Sequence, residues 1–157
     1  KGHIAVSDFK LKKNSSGSEI DAKARKYLKQ IDLNYAHGTG HGVGYFLNVH
    51  EGPHAISKRN KINFKEGMIV SNEPGYYEKN KFGIRIENLI YVKQNKKEMN
   101  FENLTMAPIE KDLIIKENLN NREKRWLNDY HKIVFKKLVP FMSKIEASDL
   151  KKACSAI

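Results

Sequence analysis

Four glycines alternate with other residues over positions 37–44, and this run restricts the fold more than any other part of the sequence. Glycine at this density disfavours a helix, because glycine loses more backbone entropy on folding than any other residue. The run therefore predicts backbone in unusual conformations, or in close approach to another part of the chain. It carries His37 and His41, and His50 follows shortly after it.

Hydrophobic periodicity on either side of the run predicts both helices and strands. A helical pattern begins at Glu19 with Ser18 as its N-cap. A short strand is expected at 68–71 and a longer one at 84–92, and a Pro-Gly turn after Glu73 is expected to join them. The sequence thus predicts an α+β fold.

The C-terminal region is expected to be helical. Asn120 and Glu123 have the spacing of a capping box, and apolar residues then recur at helical spacing until Pro140 ends the helix. A second, shorter helix is expected over 145–154. The apolar stripe of the first helix predicts either a core contact or a contact between subunits.

Composition excludes several classes of function. The formal net charge is +11, but the lysines are scattered and do not alternate with aromatic residues, so we expect no nucleic-acid partner. No apolar run is long enough to span a membrane. A single cysteine, Cys154, rules out an intrachain disulfide and suits the cytoplasm.

Two familiar motifs are matched only in their letters. Residues 50–54 read His-Glu-Gly-Pro-His, but a zinc site of this type needs a helix, and the Gly-Pro pair opposes one. The alternating glycines contain no G-x-G-x-x-G window and no lysine at the Walker position, so a phosphate-binding loop is not expected.

A metal site is one interpretation of the remaining polar residues. Three histidines, His37, His41 and His50, precede Glu73 and Glu87, which lie on strand-like segments. Imidazole and carboxylate groups are ligands suited to Mn²⁺ or Zn²⁺. Spacing alone leaves open the alternative that these are loop histidines and surface glutamates.

Three ordered blocks resemble the eukaryotic-type aminopeptidase P group of the pita-bread metallopeptidases. They are HGTGHGVGYFLNVHEGP (37–53), EGMIVSNEPGYY (66–77) and FGIRIENLIYV (82–92). The resemblance extends to GHIAVS (2–7) and, more weakly, to LNNREKRWLNDYH (119–131). It implies a pita-bread fold, of which this chain would be the C-terminal half with a helical tail.

The resemblance also implies a set of site residues. The family binds two metal ions, usually Mn²⁺ or Zn²⁺, and His41, Glu73 and Glu87 match three of its ligands. His37 matches a histidine that lines the substrate site, and His50 matches one that donates a proton to the reacting carbonyl. Arg85 would support the ligating carboxylates.

The implied reaction is hydrolysis of an N-terminal Xaa-Pro bond by a hydroxide held between the two metals. Glu73 would act as ligand and proton carrier as well, and substrates would be peptides with proline at the second position. The implied parent protein is a cytoplasmic homodimer.

Two aspartate ligands of the family have no match, because Asp8, Asp21 and Asp32 lie outside the family's Asp block. We therefore expect the upstream half of the polypeptide to supply them, and this chain alone to be inactive, whether it is a natural fragment or a truncated sequence. Residues 1–110 would form part of the catalytic domain, and 111–157 a helical extension that could contact another subunit.

Two other functions remain open at this point. A prolidase-like dipeptidase has the same fold and ligands but cleaves only dipeptides. A pita-bread binding module without catalysis is also possible, although such relatives lack intact ligands.

Overall fold

The computed structural model describes residues 1–46, 48–96 and 98–157, which form two compact units, Lys1–Thr105 and Met106–Ile157. The described part of the first unit contains two helices and eight strands. In chain order these are α1 (Gly2–Ser7), β1 (Lys10–Leu11), α2 (Gly17–Lys29), β2 (Gly40–His41), β3 (Ala55–Ile56), β4 (Ile69–Asn72), β5 (Gly75–Glu78), β6 (Phe82–Arg85), β7 (Asn88–Asn95) and β8 (Glu98–Asn103).

The main sheet of the first unit is antiparallel, with the strand order β1-β8-β7-β4. Burial alternates along β7, where Asn88, Ile90 and Val92 are buried and the residues between them are partly exposed. Helix α1 packs against α2 and contacts β4 and β8. The core that these elements share consists of Val6, Leu11, Ile20, Ala24, Ile56, Phe64, Val70, Ile90, Val92 and Phe101.

The prediction of one continuous strand over 84–92 is wrong. The chain leaves the strand conformation at Ile86 and Glu87, so β6 and β7 are separate strands. Strand β6 pairs with β5 in a hairpin of its own, with Tyr76 opposite Ile84. The Pro-Gly segment after Glu73 therefore leads into this hairpin and does not join β4 to β7.

The N-cap of α2 also differs from the prediction. The helix begins at Gly17, and Ser16, not Ser18, is the N-cap. The N–H group of Ser18 donates to the carbonyl of Asn60, so it takes part in a contact with a later loop. Ser18 is therefore the second residue of the helix, and its backbone makes a non-local hydrogen bond that a local capping pattern does not contain.

The second unit is helical in its described residues, as predicted. Helix α3 (Asn121–Leu138) begins with the expected capping box, since Asn120 Oδ1 accepts from the Glu123 N–H and Glu123 Oε2 accepts from the Asn120 N–H. A 3₁₀ turn, Lys116–Asn118, precedes it, and another, Val139–Phe141, leads to α4 (Lys144–Ala153). Leu127, Tyr130 and Val134 are buried with Leu150, so much of the apolar stripe forms core within the unit.

None of the helices in the described part of the chain combines the length and apolarity that crossing a lipid bilayer requires.

Candidate metal centre

Three candidate ligands, His41, Glu73 and Glu87, come from three different elements of the first unit. His41 lies on β2, Glu73 directly follows β4, and Glu87 lies between β6 and β7. One ligand atom from each of them can be chosen so that all three lie within 4.8 Å of one another. The structure thus brings together three side chains that the sequence separates by many residues.

The alternating glycines allow β2 to approach its neighbours. A Cβ atom on Gly40 would lie 1.8 Å from the carbonyl oxygen of Ser71, and one on Gly42 would lie 2.0 Å from that of Glu51. Among the described glycines only Gly67 has a positive φ, so the run serves close approach and not a special backbone conformation. Any larger residue at Gly40 would push His41 away from β4.

The carboxylate of Glu73 is buried and held from both sides. Ser71 Oγ donates to its Oε1 at 2.7 Å, and Arg85 Nη1 donates to its Oε2 at 3.1 Å. Ser71 Oγ in turn accepts from the N–H group of His41 at 2.8 Å. Ser71 therefore fixes the distance between the backbone of one candidate ligand and the side chain of another.

The tautomer of His41 follows from its hydrogen bond. Its Nδ1 lies 3.0 Å from the carbonyl oxygen of Gly42, which can only accept, so Nδ1 carries the proton. In the neutral ring, Nε2 then presents its lone pair to Glu73 Oε1 at 3.4 Å. Two lone pairs facing each other repel unless a proton or a cation lies between them, so this arrangement fits a metal ion.

A hydrogen-bonded chain connects His37 to Glu73. His37 Nδ1 donates to the carbonyl of Gly38 at 2.7 Å, and its Nε2 lies 2.8 Å from the hydroxyl of Tyr77. That hydroxyl accepts from Arg85 Nε at 2.7 Å, and Arg85 also donates to Glu73. The hydrogen bond that Arg85 donates to Tyr77 raises the pKa of the Arg85 guanidinium, which therefore stays charged beside the carboxylate.

His50 and His54 have different surroundings. The ring of His50 is exposed, and its centroid lies 4.0 Å from that of His41, so His50 is within the candidate site. His54 is buried, and its Nε2 donates to the carbonyl of Ile69 at 2.7 Å. Residues 50–54 are not helical, so His50 and His54 do not share the helix face that an H-E-x-x-H zinc site requires.

Asp21 is held by groups other than the candidate ligands. Its carboxylate accepts two hydrogen bonds from Arg25 Nε and one from Thr39 Oγ1. Within the described residues, the group formed by His41, Glu73 and Glu87 is the one cluster of three or more potential metal ligands.

Sequence reasoning missed Ser71 and Tyr77. Ser71 lies two residues before Glu73, and the two-residue period of a strand could have placed both side chains on one face. Tyr77 contacts His37 only through the β5–β6 hairpin, which the sequence pattern did not reveal.

Comparison with known families gives two adjoining matches. Residues 1–94 match the model for metallopeptidase family M24, and residues 97–157 match the model for the C-terminal region of peptidase M24.

Individual relatives agree with these matches. The chain is 49% identical over 152 residues to a probable Xaa-Pro aminopeptidase P of Laccaria bicolor, which covers 90% of the chain and 24% of that protein. An X-prolyl aminopeptidase of Caenorhabditis elegans, described as a cytosolic enzyme with a di-nuclear active site, superposes with a TM-score of 0.91 at 36% identity. That match covers 99% of this chain and 27% of the C. elegans chain.

A prolidase of Pyrococcus furiosus matches less of the structure. Its TM-score is 0.60 at 30% identity, with 69% of this chain and 30% of the prolidase covered. The chain spans about a quarter of the length of the curated relatives it matches.

Proposed function

Because the chain belongs to metallopeptidase family M24, we propose that the full-length protein containing it is a metal-dependent aminopeptidase that releases the N-terminal residue before proline. The observation that carries this proposal is the convergence of His41, Glu73 and Glu87 within 4.8 Å. The homology to Xaa-Pro aminopeptidases over most of the chain supports it. The pita-bread segment described above would then be the C-terminal half of the catalytic domain.

The three side chains fit a site for divalent metal. One imidazole nitrogen and two carboxylates are the donor set that Mn²⁺ and Zn²⁺ accept, and we propose two ions of this kind per full-length chain. Bound ions would lower the pKa of water and polarise the carbonyl of the scissile bond. The remaining carboxylate ligands would come from the upstream half of the polypeptide.

A second role proposed for Glu73 is to carry the proton that the reaction requires. We propose that its carboxylate takes a proton from the attacking water and delivers it to the proline nitrogen, which must be protonated before it can leave. Its hydrogen bonds to Ser71 and Arg85 would hold the carboxylate in one orientation throughout. A positioned acid–base group of this kind is worth about 10²–10⁴-fold in rate.

His50 and His37 would act on the substrate. His50 is exposed beside His41 and, in its protonated form, would donate a hydrogen bond to the carbonyl oxygen as negative charge develops there. His37 would line the substrate site, with Tyr77 and Arg85 fixing its ring. The substrates in this proposal are peptides with proline at the second position, as the homology to Xaa-Pro aminopeptidases suggests.

A prolidase-like dipeptidase is the second candidate, because the Pyrococcus prolidase shares much of the fold. The C. elegans aminopeptidase covers nearly the whole chain, including the region of α3 and α4, whereas the prolidase covers 69% of it. This difference favours the aminopeptidase. A cytoplasmic location and a homodimer remain part of the proposal, the first supported by the cytosolic relative.

The test is a substrate comparison on the full-length protein after chelation and after Mn²⁺ or Zn²⁺ is restored. The aminopeptidase releases the first residue of an Xaa-Pro-Pro tripeptide, and an Xaa-Ala-Ala peptide is the matched control. Cleavage of Xaa-Pro dipeptides alone would establish the prolidase instead. If neither the Xaa-Pro-Pro tripeptide nor the Xaa-Pro dipeptide is cleaved with either metal, the proposal is contradicted and a binding module is favoured.

A further inference from the structure

Helix α2 carries a buried ion pair, Asp21 and Arg25, and both side chains also make hydrogen bonds to residues outside the helix. Asp21 and Arg25 are 2% and 8% exposed, and Arg25 Nε donates to both carboxylate oxygens of Asp21, at 2.9 and 2.8 Å. Burying two charges costs about as much free energy as their attraction returns, so the pair alone explains little of the stability of the fold. Its other contacts indicate what it does.

The other three hydrogen bonds described for the Arg25 side chain all go to one short segment, residues 34–37. Its Nη1 donates to the side chain of Asn34 and to the carbonyl of Tyr35, at 2.8 and 2.7 Å, and its Nη2 donates to the carbonyl of His37 at 2.6 Å. The guanidinium also lies over the Tyr35 ring, 3.9 Å from the centroid. The Arg25 side chain thus binds the backbone carbonyls on both sides of Ala36, one of which belongs to His37 itself.

Asp21 holds the next part of the same segment. Its Oδ1 accepts from Thr39 Oγ1 at 2.6 Å, and Thr39 Oγ1 accepts from the hydroxyl of Tyr35. The carbonyl of Thr39 accepts from the N–H group of Glu73 at 2.8 Å. The pair is therefore connected through Thr39 to the backbone of Glu73. Through Arg25 it is connected to His37, which is proposed to line the substrate site.

We propose that Asp21 and Arg25 are positioning residues, which set the segment 34–40 in the register that places His37 and Glu73 in the site. This inference rests on the proposed function for its kinetic consequences, but not for its structural ones. Arginine is required because its planar group serves the carboxylate and three acceptors at once. The ammonium of lysine, a single point with three donors, cannot.

The structural test is amide hydrogen exchange in the full-length protein. Arg25→Gln and Arg25→Lys should both accelerate exchange at residues 34–41 by a larger factor than in β7 and β8. Val92→Ala, a core change far from this segment in sequence, is the control for general destabilisation. Unchanged exchange at 34–41, or equal acceleration throughout the unit, would overturn the proposal whether or not the protein cleaves any peptide.

The kinetic test uses the same variants with an Xaa-Pro-Pro substrate. Both Arg25 variants should raise KM about tenfold or more, because misplacing a substrate-positioning group by about 1 Å can cost about 10²-fold. The increase should be clearly smaller when His37 is already alanine, because Arg25 acts in part through His37. Additive effects of Arg25→Lys and His37→Ala, or full activity in Arg25→Lys, would contradict the inference.

A milder pair of variants covers the case in which the Arg25 variants do not fold. Thr39→Val keeps the shape of the side chain and removes its hydrogen bond to Asp21, and Thr39→Ser restores the hydroxyl. Faster exchange at 34–41 in Thr39→Val and its recovery in Thr39→Ser support the proposal. Identical exchange in the two variants contradicts it. A wild-type protein that cleaves no Xaa-Pro peptide would reject the proposed function alone.

Discussion

The Nε2 atom of His41 faces Oε1 of Glu73 at 3.4 Å, while the Nδ1 proton of the same ring is committed to the carbonyl of Gly42. Ser71 bridges the two residues, since its hydroxyl accepts from the backbone of His41 and donates to Glu73. The imidazole and the carboxylate are therefore held at a separation suited to a shared cation, and the hydrogen bonds that orient them reduce the cost of ordering them around one.

Replacing Glu73 with glutamine in the full-length protein should reduce turnover by at least about 10²–10⁴-fold, because the amide neither binds metal as a carboxylate does nor carries the proton. The fold should remain, since the glutamine oxygen can still accept from Ser71 or Arg85. Steady-state kinetics with an Xaa-Pro-Pro peptide, alongside thermal unfolding, measures both effects. A variant that retains more than about a tenth of the wild-type rate would remove Glu73 from its assigned role.

Replacing Arg85 with glutamine should lower metal affinity by about 10–100-fold, the range for residues that orient ligating groups. The variant loses the hydrogen bonds to Glu73 Oε2 and to Tyr77, so both the carboxylate and the His37 ring become less restricted. Metal affinity is measured by competition with a coloured chelator. As a control, Arg59→Gln removes an exposed arginine outside the site and should leave affinity unchanged. Equal affinities in the two variants would contradict the role given to Arg85.

His54→Ala should leave metal binding intact, whereas His41→Ala should abolish it. The structure adds a cost that sequence reasoning did not foresee, because His54 is buried and bonded to the carbonyl of Ile69. Loss of that hydrogen bond should lower the unfolding free energy by about 1–3 kcal/mol. Urea unfolding and a metal titration on each variant separate the two effects. Loss of metal binding in His54→Ala at a temperature where the protein is folded would revive the H-E-x-x-H interpretation.

Acid should destabilise the first unit through His3. Burial lowers the pKa of this ring from 6.5 to about 4, so the unfolded chain takes up a proton at a pH where the folded chain does not. Stability from this source is fully present above pH 6.5 and is lost as the pH falls towards 4. The loss amounts to roughly 3 kcal/mol at most. Urea unfolding of the 157-residue chain at several pH values measures it. His3→Asn should show a shallower decline, and an identical decline would contradict the assignment.

Local signals predicted α2, α3 and α4 and the alternating burial along β7. The capping box of Asn120 and Glu123 involves two residues only three positions apart. The burial of Ile90 and Val92 follows from the two-residue period of β7. The β5–β6 hairpin was not predicted, because its pairing of Tyr76 with Ile84 competes with a continuous strand that fits the local pattern equally well.

The identity of the site residues and their arrangement differ in how far sequence reveals them. The ordered blocks selected His41, Glu73 and Glu87, but no spacing rule predicts that their ligand atoms lie within 4.8 Å. The ion pair of Asp21 and Arg25 has the i, i+4 spacing of many exposed pairs on helices. Its burial and its contacts with the segment after α2 depend on tertiary packing, which the sequence pattern does not contain.

The most direct measurement is a calorimetric titration of Mn²⁺ into the full-length protein and into the 157-residue chain. Glu73 and Glu87 supply two negative charges, which is too few to hold two divalent cations close together without further carboxylates from upstream. We expect two tightly bound ions per full-length chain and only weak binding by residues 1–157, with no peptidase activity. Two tightly bound ions on the 157-residue chain, together with Xaa-Pro cleavage, would contradict it.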